Sequence, residues 1–325
     1  MATFYDKQFE PWAMRDGQIV VADKSEWKRL LFPLSRPQCK CNFDNPLDYC
    51  DKCAGIIHRR HRPIVNVATD VFEDVGLAPV SNKETPVGIS DLVGGYGRGI
   101  NHRDLLKRLF KTIGETPHIH YLLPTLHPDR ARKLWANETE QLPYQLIGSA
   151  ETFFAEGRRT LKPVDNVILA TYVETQADID RRVLDLAKCR DLCRGLAVIA
   201  NPKEPLNLER FLYGICFDHD ADFGGSGVCR GHYGDSWLAS IDWLIVQGDQ
   251  HPIHPDWIRR LKDQCEQAES AFYFAGWGDY QHGVDDLHPY NPCHVFPPDG
   301  PWMECVGKDK SGRLLDSVEH TERIL

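Results

Sequence analysis

The alternation of apolar runs with amphipathic stretches constrains the fold of this chain more than any other feature. Six runs rich in β-branched or aromatic residues predict strands at about 63–69, 118–125, 166–173, 196–201, 242–248 and 271–277. Between them, apolar residues three or four positions apart predict helices at about 102–115, 127–141, 176–192 and 254–269. With one further strand from the first 60 residues, this pattern predicts an α/β fold, a partial (β/α) barrel of six to seven parallel strands with loop insertions.

The barrel is expected to occupy the middle of the chain. We expect an N-terminal extension over residues 1–36, the barrel over 37–280 with a cysteine-bearing loop at 39–55, and a tail over 281–325 that packs on the barrel.

The composition is typical of a soluble protein with a sizeable core. Of the 325 residues, 42% are hydrophobic, and no apolar run reaches the length that a membrane span requires. The first residues lack the basic and apolar segments of a signal peptide, so we expect a cytoplasmic protein without membrane association. The net charge of −9 argues against nucleic-acid binding through an extended basic surface, although HRRHR at 58–62 is a candidate for a local basic patch.

Four of the 11 cysteines fall within 15 residues: Cys39, Cys41, Cys50 and Cys53. In a reducing compartment, such a cluster is more typical of metal binding than of disulfides. Three thiolates could hold a four-iron cluster and leave one iron open for a further ligand. Alternatively, all four could close a tetrahedral zinc site, or the thiols could stay unliganded. The spacing alone does not choose between iron-sulfur and zinc.

Polar residues, a glycine and a tryptophan stand at or just after the ends of the predicted strands, where a parallel barrel places its active site, and Asn66 lies within the first of these strands. They are Asn66, Asp70, Thr125, Glu174, Asn201, Glu204, Gly248, Asp249 and Trp277. A carboxylate such as Glu204 could bind a substrate amine or relay a proton, and Gly248 would let a cofactor approach the backbone. Trp277 could stack on an adenine or a substrate base. Each also has an ordinary structural interpretation, as a turn or capping residue, a buried polar residue or a core aromatic.

A second metal hypothesis concerns the acidic loop around residues 216–235. Its carboxylates and imidazoles could hold a hard cation for water activation, as in a metal-dependent hydrolase. The candidates are Asp218, His219, Asp220, Asp222, His232 and Asp235. No regular helix fixes their spacing, so a solvated acidic loop is the competing interpretation.

Five segments carry a family resemblance. They are VNVATDVFED (65–74), PVDNVILATYVETQADIDRRVLDL (163–186), DWLIVQGDQHPIHPDWIRRLKDQC (242–265), FYFAGWGDY (272–280) and VGKDKSGRLLDS (306–317). Over about residues 37–316 the chain resembles a radical SAM-like family of bacteriophages and prophages, of unknown function, with three N-terminal cysteines followed by a barrel. The chain has Gln247-Gly248-Asp249 where that family has Gly-Gly-Glu, and Ala275-Gly276 where it has Lys-Gln, which indicates a different substrate pocket.

The resemblance implies that Cys41, Cys50 and Cys53 ligate a 4Fe-4S cluster, with Cys39 as the alternative first ligand. It implies that S-adenosylmethionine binds the open iron and is cleaved to a 5′-deoxyadenosyl radical that abstracts a hydrogen atom from the substrate. Together with the strand-end positions, it assigns cofactor binding to Asn66, Asp70, Thr125, Glu174, Asn201 and Gly248, and catalysis to Glu204, Asp249 and Trp277. Lys308 and Arg313 match family positions and would suit an anionic group if the tail folds over the barrel mouth.

The resemblance also suggests partners. We expect a small-molecule or modified-nucleobase substrate, with isomerisation of an amino-acid substituent on thymine in phage DNA as one example, and an electron donor such as flavodoxin or ferredoxin. DNA is a candidate partner, and its target base would have to be flipped out of the duplex. The compartment would be the host cytoplasm. Two alternatives stay open: a zinc-stapled, non-catalytic protein that binds nucleic acid or another protein, and the metal-dependent hydrolase.

Overall fold

A computed structural model describes residues 5–15, 18–22, 64–73, 102–116, 119–136, 153–155, 158–160, 164–213, 215–216, 238–282, 294–296 and 300–324. Its centre is a seven-stranded parallel sheet that curls into a half-barrel. The strands are β1 (Lys7–Phe9), β2 (Ile64–Val67), β3 (His120–Thr125), β4 (Val164–Val173), β5 (Cys193–Ala200), β6 (Trp243–Gln247) and β7 (Ala271–Gly276). Neighbours in the sheet follow chain order from β1 to β7, and every pair is parallel. The predicted α/β partial barrel of six to seven parallel strands is confirmed.

Both faces of this sheet are buried. On the outer face, residues such as Val65 and Leu169 pack against the helices. On the inner face, Ile64 and Ile168 belong to a separate cluster that fills the concave side. Strands buried on both faces need apolar residues at every position, which explains why they appear in the sequence as continuous apolar runs.

The helices flank the outer face of the sheet. They are α1 (His102–Glu115), α2 (Pro128–Ala136), α3 (Gln176–Asp178, a π segment Ile179–Val183, and Leu184–Ala187), α4 (Glu209–Leu212) and α5 (Pro255–Gln267). Proline begins α2 and α5, as their His-Pro-Asp sequences predict, and the His254 side chain caps α5 by accepting a hydrogen bond from Asp256 N at 3.1 Å. No helix within the described ranges is both long and apolar enough to cross a membrane.

Helix α3 is shorter than predicted. The sequence pattern indicated a helix to residue 192, but α3 ends at Ala187 and turns follow. Leu192 N donates to Cys189 O at 2.9 Å, and Leu192 O accepts from Val164 N at 3.0 Å, which leads the chain directly into β5. Cys189 and Leu192 are buried, so the apolar spacing continues past the point where the helix ends.

Short antiparallel elements surround the half-barrel. Two-stranded pairs are formed by Trp12–Arg15 with Gln18–Val21, Phe153–Ala155 with Arg158–Thr160, Ile215–Cys216 with Leu238–Ala239, and Leu314–Leu315 with Val318–Glu319. A three-stranded sheet has Trp302–Cys305 between Tyr280–His282 and His294–Val295.

The last described residues close the amino-terminal end of the half-barrel. Residues 320–322 run antiparallel to the outer edge of β7. The Trp243 indole, at the start of β6, donates to Glu322 O at 2.9 Å. Arg323 then reaches Asp6, just before β1, at 3.4 Å. The chain end therefore links the two edge strands across the open side of the half-barrel.

Candidate functional site

A cavity of about 690 Å³ lies at the carboxyl-terminal end of the half-barrel. This volume is in the range of small-molecule sites, roughly 300–1,000 Å³. Strands β1 and β2 contribute Gln8 and Asn66, and β4 contributes Tyr172. The opposite wall comes from the ends of β6 and β7 and from Lys308, Asp309 and residues 311–313, which belong to a segment, residues 306–313, that we call the strap. The cavity thus lies at the end of the sheet where parallel barrels place their ligands.

The strap is fixed to the loop that follows β7. Val306 N and Gly307 N both donate to Asp279 O at 2.9 Å. The Ser311 hydroxyl donates to Gly278 O at 2.5 Å, and Trp277 N donates to Gly312 O at 3.3 Å. Backbone hydrogen bonds at several points hold this wall of the cavity in one position.

Two glycines allow the loops after β6 and β7 to touch through their backbones. A Cβ on Gly248 would lie 2.2 Å from the carbonyl carbon of Trp277, which real Cβ atoms essentially never approach. Gly278 has φ +76°, and a Cβ there would lie 2.3 Å from Asp249 O. The sequence pattern assigned Gly248 to a close approach by a cofactor. The close approach in the structure is by the backbone of residue 277, although Gly248 also lines the cavity.

Charged groups of both signs meet at the strap. Lys308 Nζ lies 2.8 Å from Asp249 Oδ1, and this hydrogen bond raises the pKa of Lys308. Arg313 pairs with Glu319 at 2.9 Å. Lys308, Asp249 and Arg313 all line the cavity, so the strap wall is polar and close to electrically balanced. Their side chains are one third to one half exposed, so each pair contributes little to stability.

Two carboxamides face the cavity from the opposite wall. Gln8 and Asn66 are register partners on the parallel strands β1 and β2. Asn66 is 7% exposed, and its Oδ1 is buried with no hydrogen-bond partner among the described residues. The Tyr5 hydroxyl donates to Gln8 Oε1 at 3.0 Å. A buried oxygen without a donor is rare in folded proteins, so Asn66 stands out in this lining.

Tyr172 lines the same cavity. Burial raises the pKa of its phenol, and the negative charge of Asp70 acts in the same direction. The phenol therefore stays protonated at neutral pH and can donate a hydrogen bond.

Several of the predicted strand-end residues have structural roles. Asp70 Oδ1 accepts from Phe72 N at 3.1 Å and its Oδ2 from Leu126 N at 2.8 Å, so this carboxylate joins the loops after β2 and β3. Thr125 is fully buried, and its hydroxyl accepts from His127 N at 2.9 Å ahead of α2. These are the turn and capping roles that formed the alternative interpretation.

The acidic residues near α3 are also engaged. Glu174 pairs with Lys203 at 2.5 Å. Glu204 Oε1 accepts from Gln176 N at 2.6 Å, at the amino-terminal end of α3, where a carboxylate is favoured. Asn201 follows β5 with its Oδ1 buried and unpartnered among the described residues, but the cavity lining does not include it.

Trp277 belongs to the core on the helix side of the sheet. It is 4% exposed, and its ring lies edge-on to Phe274 at 5.0 Å between centroids. Its indole N–H donates to Leu314 O at 3.0 Å. The ring is thus enclosed by protein groups and does not line the cavity. Among the candidates that the structure describes, Asn66, Gly248, Asp249, Lys308 and Arg313 come together in the cavity lining, and Asp70, Thr125, Glu174, Asn201, Glu204 and Trp277 are outside it.

The metal candidates lie outside the described residues. This applies to Cys39, Cys41, Cys50 and Cys53, and to the acidic loop with Asp218, His219, Asp220, Asp222, His232 and Asp235. Within the described part of the chain, no group of three or more histidine, cysteine or acidic side chains could hold a metal ion.

The sequence did not predict Asp309 and Ser311 on the strap as lining residues. It also did not predict four polar lining residues on or before the sheet strands, Tyr5, Gln8, Tyr172 and Gln247. A signal existed for two of these four. Alternate residues of a strand share a face, so Tyr172 lies on the inner face with Ile168, and Gln247 with Ile245. The other two come from the start of the chain, where no strand had been located.

Comparison with known proteins places the chain in a family. No curated protein and no solved structure matches it. Residues 90–323, most of the chain, match the profile of a family described as "Protein of unknown function (DUF5131)". The chain therefore belongs to the DUF5131 family.

Proposed function

We propose that this protein is a radical S-adenosylmethionine enzyme. The observation that supports the proposal most strongly is the polar cavity at the carboxyl-terminal end of a parallel half-barrel. The three-cysteine sequence with Cys41, Cys50 and Cys53 lies in the connection between β1 and β2, the two strands that carry Gln8 and Asn66.

The residues present suit the groups that the proposal requires. Three thiolates can hold a four-iron cluster with one open iron, and Cys39 is an alternative first ligand. The buried, unpartnered Oδ1 of Asn66 gives the cavity an acceptor for a ligand donor. When bound, the reduced cluster and S-adenosylmethionine supply a 5′-deoxyadenosyl radical that takes a hydrogen atom from the substrate.

The residues around the cavity would bind and orient the ligand and shield it from water. The strap, held to the β7 loop by backbone hydrogen bonds, covers one side of the cavity and limits the access of water. Lys308 keeps Asp249 in place at the rim, where the second carboxylate oxygen can accept from a ligand N–H or O–H. Tyr172 keeps its proton and can donate a hydrogen bond into the same space.

The proposed substrate is a small molecule or a nucleobase carrying a substituent that is isomerised or modified, and the proposed reductant is a protein of the flavodoxin or ferredoxin type. Lys308 and Arg313 on the strap each pair with a carboxylate of the chain, and an anionic group of that substrate would share these cations with Asp249 and Glu319. If the substrate lies in duplex DNA, its base must leave the stack to enter a cavity of this size.

Anaerobic reconstitution with iron and sulfide tests the proposal. We expect a brown protein with broad absorption near ~400 nm that forms 5′-deoxyadenosine from S-adenosylmethionine under a strong reductant. Replacing Cys50 and Cys53 together by alanine should abolish iron uptake and product. The matched control is Cys305→Ala, which removes an exposed thiol and should leave both unchanged.

Other outcomes would contradict the proposal. A colourless protein that retains zinc would favour the zinc-stapled alternative. Metal-dependent hydrolysis that is lost in a His219→Ala, His232→Ala variant, with no 5′-deoxyadenosine from the unaltered chain, would favour the hydrolase.

A further inference from the structure

We infer that Gln8 and Asn66 together recognise the adenine edge of a ligand in the cavity. The inference rests on the proposed function, because S-adenosylmethionine is the adenine-bearing ligand proposed for this site. It assigns recognition of the adenine base to two neighbouring residues. No sequence pattern predicts one of them, Gln8.

The two carboxamides are arranged as a donor beside an acceptor. They are register partners on adjacent parallel strands, about 4.8 Å apart. The Tyr5 hydroxyl occupies Gln8 Oε1, which leaves the Gln8 amide nitrogen, Nε2, to donate. Asn66 Oδ1 is the buried acceptor without a partner among the described residues. The lining therefore offers one N–H donor next to one unsatisfied oxygen.

Adenine carries the complementary pair. Its exocyclic amine is a donor and lies beside ring nitrogens that are acceptors, and carboxamide side chains recognise this edge in nucleic-acid complexes. In the cavity, the amine would donate to Asn66 Oδ1 and a ring nitrogen would accept from Gln8 Nε2. A ligand amine that meets a buried, otherwise unsatisfied oxygen binds more tightly than a ligand that leaves it unpaired.

Aromatic rings adjoin this pair. Tyr5, which holds Gln8, and Tyr172, on the inner face of β4, both line the cavity. Tyrosine rings are surfaces on which purines pack, independently of hydrogen bonding. The same side of the cavity therefore combines a donor, an acceptor and aromatic surface.

Calorimetric titration of the full-length protein with two nucleosides tests the inference. Adenosine carries the exocyclic amine, whereas purine riboside lacks it and keeps the ring nitrogens. We expect adenosine to bind about 5- to 150-fold more tightly to the unaltered protein, the range typical of one buried, unsatisfied group. Asn66→Leu should remove this preference, so that both nucleosides bind equally.

A second variant separates the two residues. Gln8→Glu keeps an acceptor for the Tyr5 hydroxyl and removes the N–H donor, so both nucleosides should bind more weakly while adenosine keeps its advantage. Thermal melting of both variants establishes that they are folded.

Equal affinity of the unaltered protein for the two nucleosides would overturn the inference, as would binding of neither one. A preference for adenosine that persists in Asn66→Leu would overturn it too. The titration requires neither a cluster nor turnover. If the protein discriminates between the nucleosides but never forms 5′-deoxyadenosine, the adenine site is supported and the proposed radical chemistry is contradicted. If it forms 5′-deoxyadenosine but does not discriminate between the nucleosides, the radical chemistry is supported and the adenine site is contradicted.

Discussion

Substitution of Gly248 by alanine tests whether the wall of the cavity depends on backbone contact. The new Cβ would lie 2.2 Å from the carbonyl carbon and oxygen of Trp277, where ordinary contact begins at 3.4 Å. The loops after β6 and β7 would have to separate by about 1.2 Å, the difference between these distances. Overpacking usually costs about 1–3 kcal/mol, and we expect about 3 kcal/mol because backbone cannot rotate away as a side chain can.

The melting temperature, followed by circular dichroism, measures this cost. About 3 kcal/mol corresponds to a fall of roughly 4 °C in a chain of this size. Gly307→Ala is the matched control, because Gly307 lies in the strap, with φ +82°, but a Cβ added there would meet nothing within 4 Å. That variant carries only the backbone strain, about 1–2 kcal/mol. If Gly248→Ala melts at the same temperature as Gly307→Ala or above it, the contact argument is wrong.

Three further predictions concern stability. Asn66→Leu should raise the melting temperature of the ligand-free protein, because it removes a buried oxygen whose lack of a hydrogen-bond donor costs about 1–3 kcal/mol. A lower melting temperature would show that Oδ1 has a partner. Burial lowers the pKa of His282, so below the ordinary histidine pKa of about 6.5 the unfolded state binds more protons than the folded state. The stability of the protein should therefore fall as the pH drops through that value. Melting curves from pH 7.5 to 5 should show a smaller fall in His282→Phe. Arg259 forms a forked ion pair with Asp316 at 2.6–3.2 Å, but both side chains are substantially exposed. Arg259→Met should therefore lower the free energy of unfolding, measured by urea denaturation, by about 1 kcal/mol or less. A larger decrease would show that exposure does not weaken this pair.

The sequence predicted six of the seven sheet strands because burial on both faces demands uninterrupted apolar residues. The position of strand β1 was not predicted, because its three residues, Lys7–Phe9, include a lysine and a glutamine and have no such apolar pattern. The π segment within α3 was also missed, because the apolar stripe of a helix does not record a local change in winding.

The candidate site could be predicted only in part. Asn66, predicted from its place within a strand, lines the cavity, as do Gly248 and Asp249, which strand-end position predicted. The same criterion selected Asp70 and Glu204, because carboxylates at strand ends also satisfy turn and helix-terminus N–H groups, and sequence does not distinguish the two uses. Tyr5 and Gln8 depended on pairing between β1 and β2, a long-range contact that no local pattern reveals.

Electron paramagnetic resonance tests whether the protein holds a 4Fe-4S cluster with an open iron. Spectra of the anaerobically reconstituted, reduced protein are recorded before and after addition of S-adenosylmethionine. We expect the signal of a reduced 4Fe-4S cluster that changes when S-adenosylmethionine occupies the open iron, and no such signal when Cys50 and Cys53 are replaced. A protein that takes up no iron, or a cluster whose spectrum is unaffected by S-adenosylmethionine, would contradict this prediction.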